Sequence, residues 1–442
     1  MAPGPESTHL TIGPGRSRQN AIYRGGALGR RPVVPTRPDE LEAQARQVMS
    51  RQAWAYVAGG AGAGATMRAN RAAFDRWAIV PRMLRDVSQR DLDIDLFGRR
   101  LPAPLLVAPV GAAGLVARDA DVHIGAAAAQ LGLPYIFSNQ GSSPMEDTAA
   151  AMGDSPRWYQ LYWSTDEQLV DSLIGRAERM GADALVVTLD TTMLGWRPHD
   201  LDLGSLPFAR GVGIAQYTSD PRFRQIVRER VSARRTGSSG RPAAERARTT
   251  PGAIRTLVSM ARETPGGFIH NLRSPYPRAA VETFLEIYSK PSLTWDDIAT
   301  LPERTRLPVL LKGILHPDDA RQALDLGVAG LIVSNHGGRQ VDGALASLDA
   351  LPEVVSAVRG RVPVLLDSGI RTGADVVKAI ALGADAVTVG RPHVYGLALD
   401  GQAGVRAVLE NLVAELDLTL GLSGLTSIRE LREEGARVLR RA

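Results

Sequence analysis

The chain contains 442 residues, of which 44% are hydrophobic and 22% are charged, a balance typical of a folded globular protein. Its length exceeds one ordinary domain of ~100–200 residues and suits one large α/β unit with additions. The chain has no cysteine, which excludes a disulfide scaffold, a thiolate metal site and a cysteine nucleophile, and we expect no bound metal. No uncharged apolar run reaches the ~18 residues that a membrane-spanning helix needs.

The first 39 residues are rich in proline, glycine and arginine and contain no apolar core segment. A secretory signal requires ~7–15 consecutive apolar residues, so the sequence predicts a flexible N-terminal tail over 1–39 and a cytoplasmic location. The net charge of +5 is small for this length, and the only lysines are Lys290, Lys312 and Lys378. We therefore attribute the basicity to arginine usage and expect neither a nucleic-acid nor a membrane partner.

Eight short apolar runs, each ending in polar residues or glycine, form the clearest pattern in the chain. Continuous runs of this kind are typical of parallel strands covered by helices. Helical patterns at 166–180, 317–326 and 374–382 lie between runs, and a glycine that can close the helix follows each. The pattern predicts an α/β protein with a (β/α)8 TIM barrel, in which 40–442 form one domain with an N-terminal helical segment. The predicted strands are Pro104–Val110, Pro134–Asn139, Trp158–Trp163, Ala184–Asp190, Pro308–Ile314, Gly330–His336, Pro363–Gly369 and Ala386–Arg391.

A long segment, residues 198–307, separates the fourth and fifth predicted strands. Its arginine-rich part, Arg222–Arg248, surrounds a Gly-Ser-Ser-Gly run, which is typical of a mobile, solvated loop. Long barrel loops commonly serve as lids over active sites, and we expect this insertion to be a lid. Binding of the loop to an anionic surface is the alternative, although aromatic and apolar anchors are few.

Polar and charged residues follow nearly every predicted strand, at the end where a barrel gathers its active-site residues. Gly369, Arg371, Gly390 and Arg391 follow strands seven and eight, where barrels commonly bind a phosphate through backbone amides and a cation. Lys312 is the only lysine at a strand end, and a fixed cation there could stabilise negative charge on a reduced flavin. These residues predict a cofactor that carries a phosphate.

An acid–base pair and an anion site are predicted from four more strand-end residues. His336 is the only histidine at a strand end, and Asp190 is an acidic group that could hold its imidazole. Arg197 and Arg339 present planar guanidinium groups suited to a carboxylate. A structural histidine is the alternative interpretation of His336.

Four strings resemble those of the FMN-dependent 2-hydroxy-acid oxidase/dehydrogenase family. They are Ser334-Asn-His-Gly-Gly-Arg-Gln340, Leu311-Lys-Gly313, Asp367-Ser-Gly-Ile-Arg-Thr-Gly373 and Gln160-Leu-Tyr162. The resemblance runs from about Tyr56 to the C-terminus. Within the family, residues 188–200 and the long segment after them resemble the lactate 2-monooxygenase branch.

The resemblance implies FMN as the cofactor, a homotetramer or larger assembly, and specific roles for individual residues. His336 would be the base that acts on the substrate, with Asp190 as its partner and Tyr162 assisting. The residues implied to hold the substrate are Tyr56, Tyr162, Arg197 and Arg339, with Tyr56 on an N-terminal segment that folds over the mouth. The residues implied to bind FMN are Pro109, Val110, Gly111, Ser138, Gln160, Thr188, Lys312, Ser334, Asp367, Gly369, Arg371, Gly390 and Arg391. A buried helix tyrosine is the alternative interpretation of Tyr56.

Two residues depart from the pattern of the family. Gly111 stands where its oxidases usually have alanine, close to flavin N5, although a glycine there could simply serve a tight turn. Gln140 occupies a position that lines the substrate pocket and is often aromatic or apolar. The identity of the substrate side chain is therefore left open by the sequence.

The resemblance predicts oxidation of a small L-2-hydroxy acid such as lactate, with oxygen as the electron acceptor. If peroxide stays with the keto acid, decarboxylation to the shorter acid follows, whereas early release gives the keto acid and hydrogen peroxide. One alternative is a dehydrogenase that uses a quinone or protein acceptor. Another is a non-catalytic barrel that binds an anionic surface.

Overall fold

Eight parallel strands close into a barrel in the computed structural model, which describes residues 13–236 and 250–442. Each strand coincides with one of the eight predicted apolar runs, although the third begins at Arg157, one residue before its run, and neighbours in the chain are neighbours in the barrel. The predicted (β/α)8 barrel is therefore confirmed. The strands are β1 Leu105–Val107, β2 Tyr135–Phe137, β3 Arg157–Leu161, β4 Ala184–Thr188, β5 Val309–Ile314, β6 Gly330–Val333, β7 Val364–Leu366 and β8 Ala386–Val389.

Helices cover the outside of the barrel, and the side chains of the strands fill its interior, so the strands are buried on both faces. Asp166 caps one of them, since its side chain accepts a hydrogen bond from the Leu169 amide. Gly181, Gly327 and Gly383 follow three helices with φ of +76°, +74° and +105°, as the sequence predicted for helix-closing glycines. The helices are Ala120–Gln130, Met145–Met152, Glu167–Arg179, Pro317–Asp325, Ser347–Val358, Gly373–Ala381 and Arg391–Leu422, the last of which contains a kink at Asp400 and Gly401.

The segment predicted to be a flexible tail contains a helix, Pro14–Ala27, that packs on the long helix Arg391–Leu422. The Gly15 amide donates to Asp417 over 2.9 Å, and Arg18 pairs with Glu410 over 2.8 Å. For Pro14–Ala27 the prediction of a flexible tail was wrong, because this helix gains contacts from residues about 400 positions away in the chain. Residues 1–12 lie outside the described part of the chain.

Three further N-terminal helices and two short antiparallel strand pairs lead to the barrel. Helix Arg51–Ala58 begins at the Ser50 cap and lies at the carboxyl ends of the strands, where the Ala61 amide donates to the Gly338 carbonyl over 2.8 Å. This N-terminal segment therefore contacts the loop that follows β6. The other elements are helices Pro38–Val48 and Ala65–Asp75, and strands Trp77–Ile79 with Leu439–Arg441 and Ile94–Leu96 with Arg99–Leu101.

The insertion after β4 is mainly helical. About half of the predicted mobile loop Arg222–Arg248 belongs to a helix, Pro221–Arg235, and its residues 237–248 lie outside the described part. Asp220 caps this helix, and buried Phe223 and Val227 share its inner face, so capping and packing outweigh the charge of the arginines. The other helical segments are Pro198–Asp202, Pro207–Arg210, Ala215–Thr218, Pro251–Glu263, Phe268–Arg273, Tyr276–Ile287, Trp295–Ala299 and Leu301–Arg304, and Ile428–Glu434 and Gly435–Val438 follow the barrel.

Within residues 13–236 and 250–442, none of the helices combines the length and the apolar character that crossing a membrane demands.

Candidate active site

The carboxyl ends of the eight strands surround a cavity of about 990 Å³, including space open to solvent. Most of the predicted site residues line it. They are Tyr56, Pro109, Val110, Gly111, Gln160, Tyr162, Arg197, Lys312, His336, Arg339, Asp367, Gly369, Arg371, Gly390 and Arg391.

Four predicted residues lie behind the cavity wall, where they hold lining residues in place. Asp190 contacts His336, and Ser334 contacts Lys312. Ser138 Oγ donates to Gln160 Oε1 over 3.2 Å, and Gln160 Nε2 donates to Thr188 Oγ1 over 2.9 Å. The Gln160 amide is thus fixed by both neighbouring strands. The structure therefore brings all the predicted residues to one site, although not all of them reach its surface.

His336 and Asp190 form a partly buried pair at the ends of β6 and β4. Nδ1 of His336 lies 2.7 Å from Oδ1 of Asp190, which also accepts a hydrogen bond from Thr191 Oγ1. Burial lowers the pKa of His336 more than the carboxylate raises it, so the ring is neutral near pH 7. Burial opposes ionisation of Asp190, but the neighbouring His336 and Lys312 outweigh it and hold the pKa of Asp190 below its ordinary value. Nε2 of His336 is left as the ring nitrogen free to act as a base.

The loop after β6 has an unusual backbone. His336, Gly337 and Gly338 have φ of +57°, +64° and +73°, and a left-handed histidine is uncommon. Side chains hold this conformation, since Ser334 Oγ accepts from the His336 amide over 3.0 Å and Ser368 Oγ accepts from the Gly337 amide over 2.9 Å. Strain of this kind concentrates at functional sites, where the surrounding structure holds it.

Two arginines, Arg339 and Arg197, line the same part of the cavity, with Arg339 next to the Tyr56 ring. Cζ of Arg339 is 4.9 Å from the Tyr56 ring centre, and its Nη1 donates to the carbonyls of Tyr56 and Gly59. Arg197 donates to the Arg339 carbonyl and to Gln340 Oε1. Burial, with repulsion from Arg197, lowers the pKa of Arg339 to about 9. Neither arginine forms an ion pair with a residue in the described part of the chain, so an anionic ligand can neutralise both.

Lys312 is part of a buried polar network at the ends of β5 to β8. Its Nζ donates to Ser334 Oγ over 2.8 Å and lies 3.1 Å from Asp367 Oδ2. Thr388 Oγ1 donates to the other Asp367 oxygen over 2.7 Å. Burial alone would lower the pKa of Lys312, but the charges of Asp367 and Asp190 raise it. The Lys312 ammonium therefore stays charged at the cavity wall.

Arg371 and Arg391 approach the cavity from the ends of β7 and β8. Nε of Arg391 donates to the Val57 carbonyl over 2.9 Å, and its Nη1 donates to the Gly337 carbonyl over 3.0 Å. Burial, with the charge of Arg391, lowers the pKa of Arg371 to about 10. Among the described residues, no carboxylate lies within ion-pair distance of either guanidinium. Like Arg197 and Arg339, these two cations are placed for an anion that residues 13–236 and 250–442 do not supply.

Comparison with known proteins identifies the family. The model of the family described as FMN-dependent dehydrogenase matches residues 45–438. This chain belongs to the FMN-dependent dehydrogenase family. It is 42% identical to the FMN-dependent alpha-hydroxy acid dehydrogenase qulF of Penicillium citrinum, over 95% of this chain and 94% of the relative. It is 41% identical to an L-lactate oxidase of Lysinibacillus sphaericus, over 89% and 90% of the two chains.

A solved structure agrees with this assignment. The crystal structure of mandelate oxidase with benzoyl-formic acid is 34% identical and has a TM-score of 0.72, covering 92% of this chain and 99% of that one. The chain is therefore an FMN-dependent oxidoreductase that oxidises 2-hydroxy acids. The alternative of a non-catalytic barrel is wrong.

The cavity has the chemistry that FMN requires of a protein in this family. Arg371 and Arg391 are two guanidinium groups without a carboxylate partner among the described residues, which suits a phosphate, and Gly337 adopts a φ of +64° beside Arg391. A β-carbon on Gly369 would meet the Asn70 carbonyl and the Phe74 ring at 2.8 Å, so this backbone has no room for a side chain. Lys312 offers a fixed cation, and the Gln160 amide a fixed polar edge, for the flavin ring.

Several lining residues were not predicted from the sequence. Thr388 lies within β8, and a single threonine in an apolar strand gives no sign that its side chain faces a cavity. Tyr288 comes from the insertion, where no motif marks it, and Thr191 follows Asp190 directly. The other unpredicted lining residues are Val57, Ala108, Leu194, Gly337, Ser368 and Ile370. Gly337, Ser368 and Ile370 lie inside strings that the sequence analysis singled out, so their position in the chain could have marked them as lining residues.

Proposed function

We propose that this enzyme oxidises a small L-2-hydroxy acid with oxygen as the acceptor, and that it decarboxylates the keto acid before release. The observation that carries the oxidation of a 2-hydroxy acid is the contact between His336 and Asp190, beside two guanidinium groups without a carboxylate partner among the described residues. The acceptor and the decarboxylation follow from the resemblance to the lactate 2-monooxygenase branch. Bound FMN supplies the two-electron acceptor. The roles below are those that the positions of the side chains support.

Arg197 and Arg339 would bind the substrate carboxylate, since charge-assisted hydrogen bonds from a guanidinium fork suit a planar anion. Tyr56 and Tyr162 line the same cavity, and their hydroxyls would orient the substrate hydroxyl. Burial raises the pKa of Tyr162, so its hydroxyl keeps its proton and can donate. These four residues would place the hydroxyl-bearing carbon next to His336.

His336 would take a proton from the substrate through Nε2, because Nδ1 faces Asp190. The Asp190 carboxylate would then stabilise the imidazolium. Its Oδ2 is buried and has no hydrogen-bond partner among the described residues, so Asp190 has unused capacity to stabilise that charge. Lys312 would stabilise negative charge on the bound cofactor.

The acceptor and the product are tested by one aerobic reaction with L-lactate, in which oxygen, pyruvate, acetate, carbon dioxide and hydrogen peroxide are measured. Oxidation gives pyruvate and hydrogen peroxide, and these two react further to acetate, carbon dioxide and water. We expect acetate and carbon dioxide to form in equal amounts with little free peroxide. Pyruvate with equal peroxide would indicate a simple oxidase. Reduction of a quinone analogue without oxygen uptake would indicate a dehydrogenase, and no oxidation of any short 2-hydroxy acid would overturn the proposal.

A further inference from the structure

The loop after β2 places three successive side chains in three different environments. Ser138 bonds to Gln160, and Asn139 bonds to the hydroxyls of Tyr159 and Tyr217 behind the barrel wall. Gln140 instead lines the cavity. Its backbone is fixed on both sides, because its amide donates to Ser138 Oγ over 3.1 Å and its carbonyl accepts from the Ala112 amide over 2.8 Å. The position of Gln140 is therefore set independently of its side chain.

The carboxamide of Gln140 has no hydrogen-bond partner in residues 13–236 or 250–442, although the residue is only 6% exposed. Two other glutamines near the site are bonded at both ends. Gln160 bonds to Ser138 and Thr188, and Gln340 accepts from Arg197 and donates to the Asp190 carbonyl. Neither polar atom of this carboxamide is among the fully buried unpartnered atoms of the described residues, so water can reach it until a ligand fills the cavity. A ligand that displaces this water without replacing its hydrogen bonds incurs the cost of an unpartnered amide. Of these three glutamines, Gln140 is the one whose carboxamide is available to hydrogen-bond a ligand.

The topology indicates which part of the ligand meets Gln140. In an eight-strand barrel with this order, β2 lies opposite β6. His336 and Arg339 follow β6, whereas Gln140 follows β2 and packs against Gly111 at the end of β1. A 2-hydroxy acid whose carboxylate is held by the arginines has its remaining substituent free to extend toward the β1–β2 side.

We propose that Gln140 is a specificity-determining residue that hydrogen-bonds a hydroxyl group on the substituent of the 2-hydroxy acid. This inference rests on the proposed placement of the carboxylate at Arg197 and Arg339. The preferred substrates are then 2-hydroxy acids with a hydroxylated side chain. An apolar substituent of the same size leaves the buried amide unbonded.

The test uses matched pairs of substrates that differ by one oxygen: L-glycerate and L-lactate, 2,4-dihydroxybutyrate and 2-hydroxybutyrate, and 4-hydroxymandelate and mandelate. For at least one pair, the enzyme should have a kcat/KM about tenfold higher for the hydroxylated member, the size of one net hydrogen bond. In Gln140→Met, which keeps the side-chain length, this ratio should fall to about one, mainly through loss on the hydroxylated member. Gln140→Leu is a second variant in case methionine packs differently.

A binding measurement separates this role from a merely structural one. The dissociation constants of the matched 2-oxo acids are measured by titration of the FMN-loaded enzyme, and should show the same change of ratio. If both members of every pair react equally well, the inference is overturned while the proposed function stands. If neither member of any pair is oxidised, the proposed function fails. If Gln140→Met loses FMN and activity on both members alike, Gln140 serves the cofactor and the inference is overturned.

Discussion

Nδ1 of His336 lies 2.7 Å from Oδ1 of Asp190, a carboxylate that is 146 positions away in the chain. Thr191 Oγ1 donates to the same carboxylate oxygen, and Gln340 Nε2 donates to the Asp190 carbonyl over 2.7 Å. The side chain and the backbone of Asp190 are therefore both held. This contact orients the imidazole and provides a counter-charge for its protonated form.

Replacing Asp190 by Asn should lower kcat/KM by about 10²–10⁴-fold, because the base loses its orientation and its counter-charge. The pH dependence gives a sharper test. His336 must be neutral to accept a proton, so kcat/KM should rise with pH through a pKa below 6.5. Asp190 raises that pKa, so the acid limb of the variant should move to lower pH. An acid limb that moves to higher pH, in a variant that retains FMN, would contradict the assignment.

Replacing Arg339 by Lys should reduce kcat/KM by roughly 10–100-fold, since lysine lacks the planar fork and the hydrogen bonds to Tyr56 and Gly59. Arg197→Lys should have a similar effect on the acid but should leave the Tyr56 backbone contact intact. The control is the neutral amide of the substrate. The unaltered enzyme should strongly prefer the acid, and each variant should lose most of that preference. Equal turnover of acid and amide by the unaltered enzyme would show that no carboxylate site exists.

Replacing Lys312 by Met should destabilise the protein by about 3–5 kcal/mol, because Asp367 is left as a buried charge without its partner. The matched control is Lys312→Met combined with Asp367→Asn, which removes both charges and should recover much of the stability. The midpoint of thermal unfolding and the FMN dissociation constant are measured for both. FMN should bind more weakly in both variants, because the cation is absent in each. Full FMN affinity in the stable double variant would refute a cofactor role for Lys312.

Replacing Gly111 by Ala should disturb the β1–β2 side of the cavity, because a β-carbon there would lie 3.0 Å from Cβ and 3.2 Å from Oε1 of Gln140. We expect the products to shift from the decarboxylated acid toward keto acid and peroxide, as crowding speeds release of the keto acid. Combination with Gln140→Gly removes the crowding atoms and should restore part of the original ratio. Acetate, pyruvate and peroxide are measured in one aerobic reaction. Unchanged proportions of acetate, pyruvate and peroxide in folded, FMN-loaded Gly111→Ala would show that Gly111 serves only to form a turn.

His393 should make the protein less stable as the pH falls. Its Nδ1 lies 2.8 Å from the Val389 carbonyl, and burial lowers its pKa to about 4. The unfolded chain binds a proton near pH 6.5, so stability should decrease between about pH 6.5 and 4 by up to about 3 kcal/mol. His393→Asn, which keeps a donor near Nδ1, should have a flatter dependence of the unfolding midpoint on pH.

A second buried group acts in the opposite direction in part of this range. Burial raises the pKa of Asp121 to about 6, so its contribution to stability is present at low pH and is lost as the pH rises from about 4 to 6. This contribution is common to the unaltered protein and His393→Asn, and it cancels in their difference. Parallel pH profiles of the two proteins would show that His393 does not titrate as predicted.

The sequence by itself determined the barrel and most of the site. Continuous apolar runs can be buried on both faces only in a sheet covered by helices, and each run ended in polar residues such as Lys312 and His336. Because parallel strands end at the same edge, residues far apart in the chain had to meet there. The order of strands and helices along the chain was sufficient for this step, because a helix between two strands allows the strands to run parallel.

Tertiary structure alone decided how the side chains are partnered. Pro14–Ala27 is a helix because it packs on helix Arg391–Leu422. The arginine-rich helix Pro221–Arg235 is stable because its Phe223 and Val227 are buried. Only the fold showed that Gln160 is fully bonded whereas Gln140 is not. Hydrogen bonds and burial depend on atoms from distant segments, and the identity of a residue does not fix which of those atoms it meets.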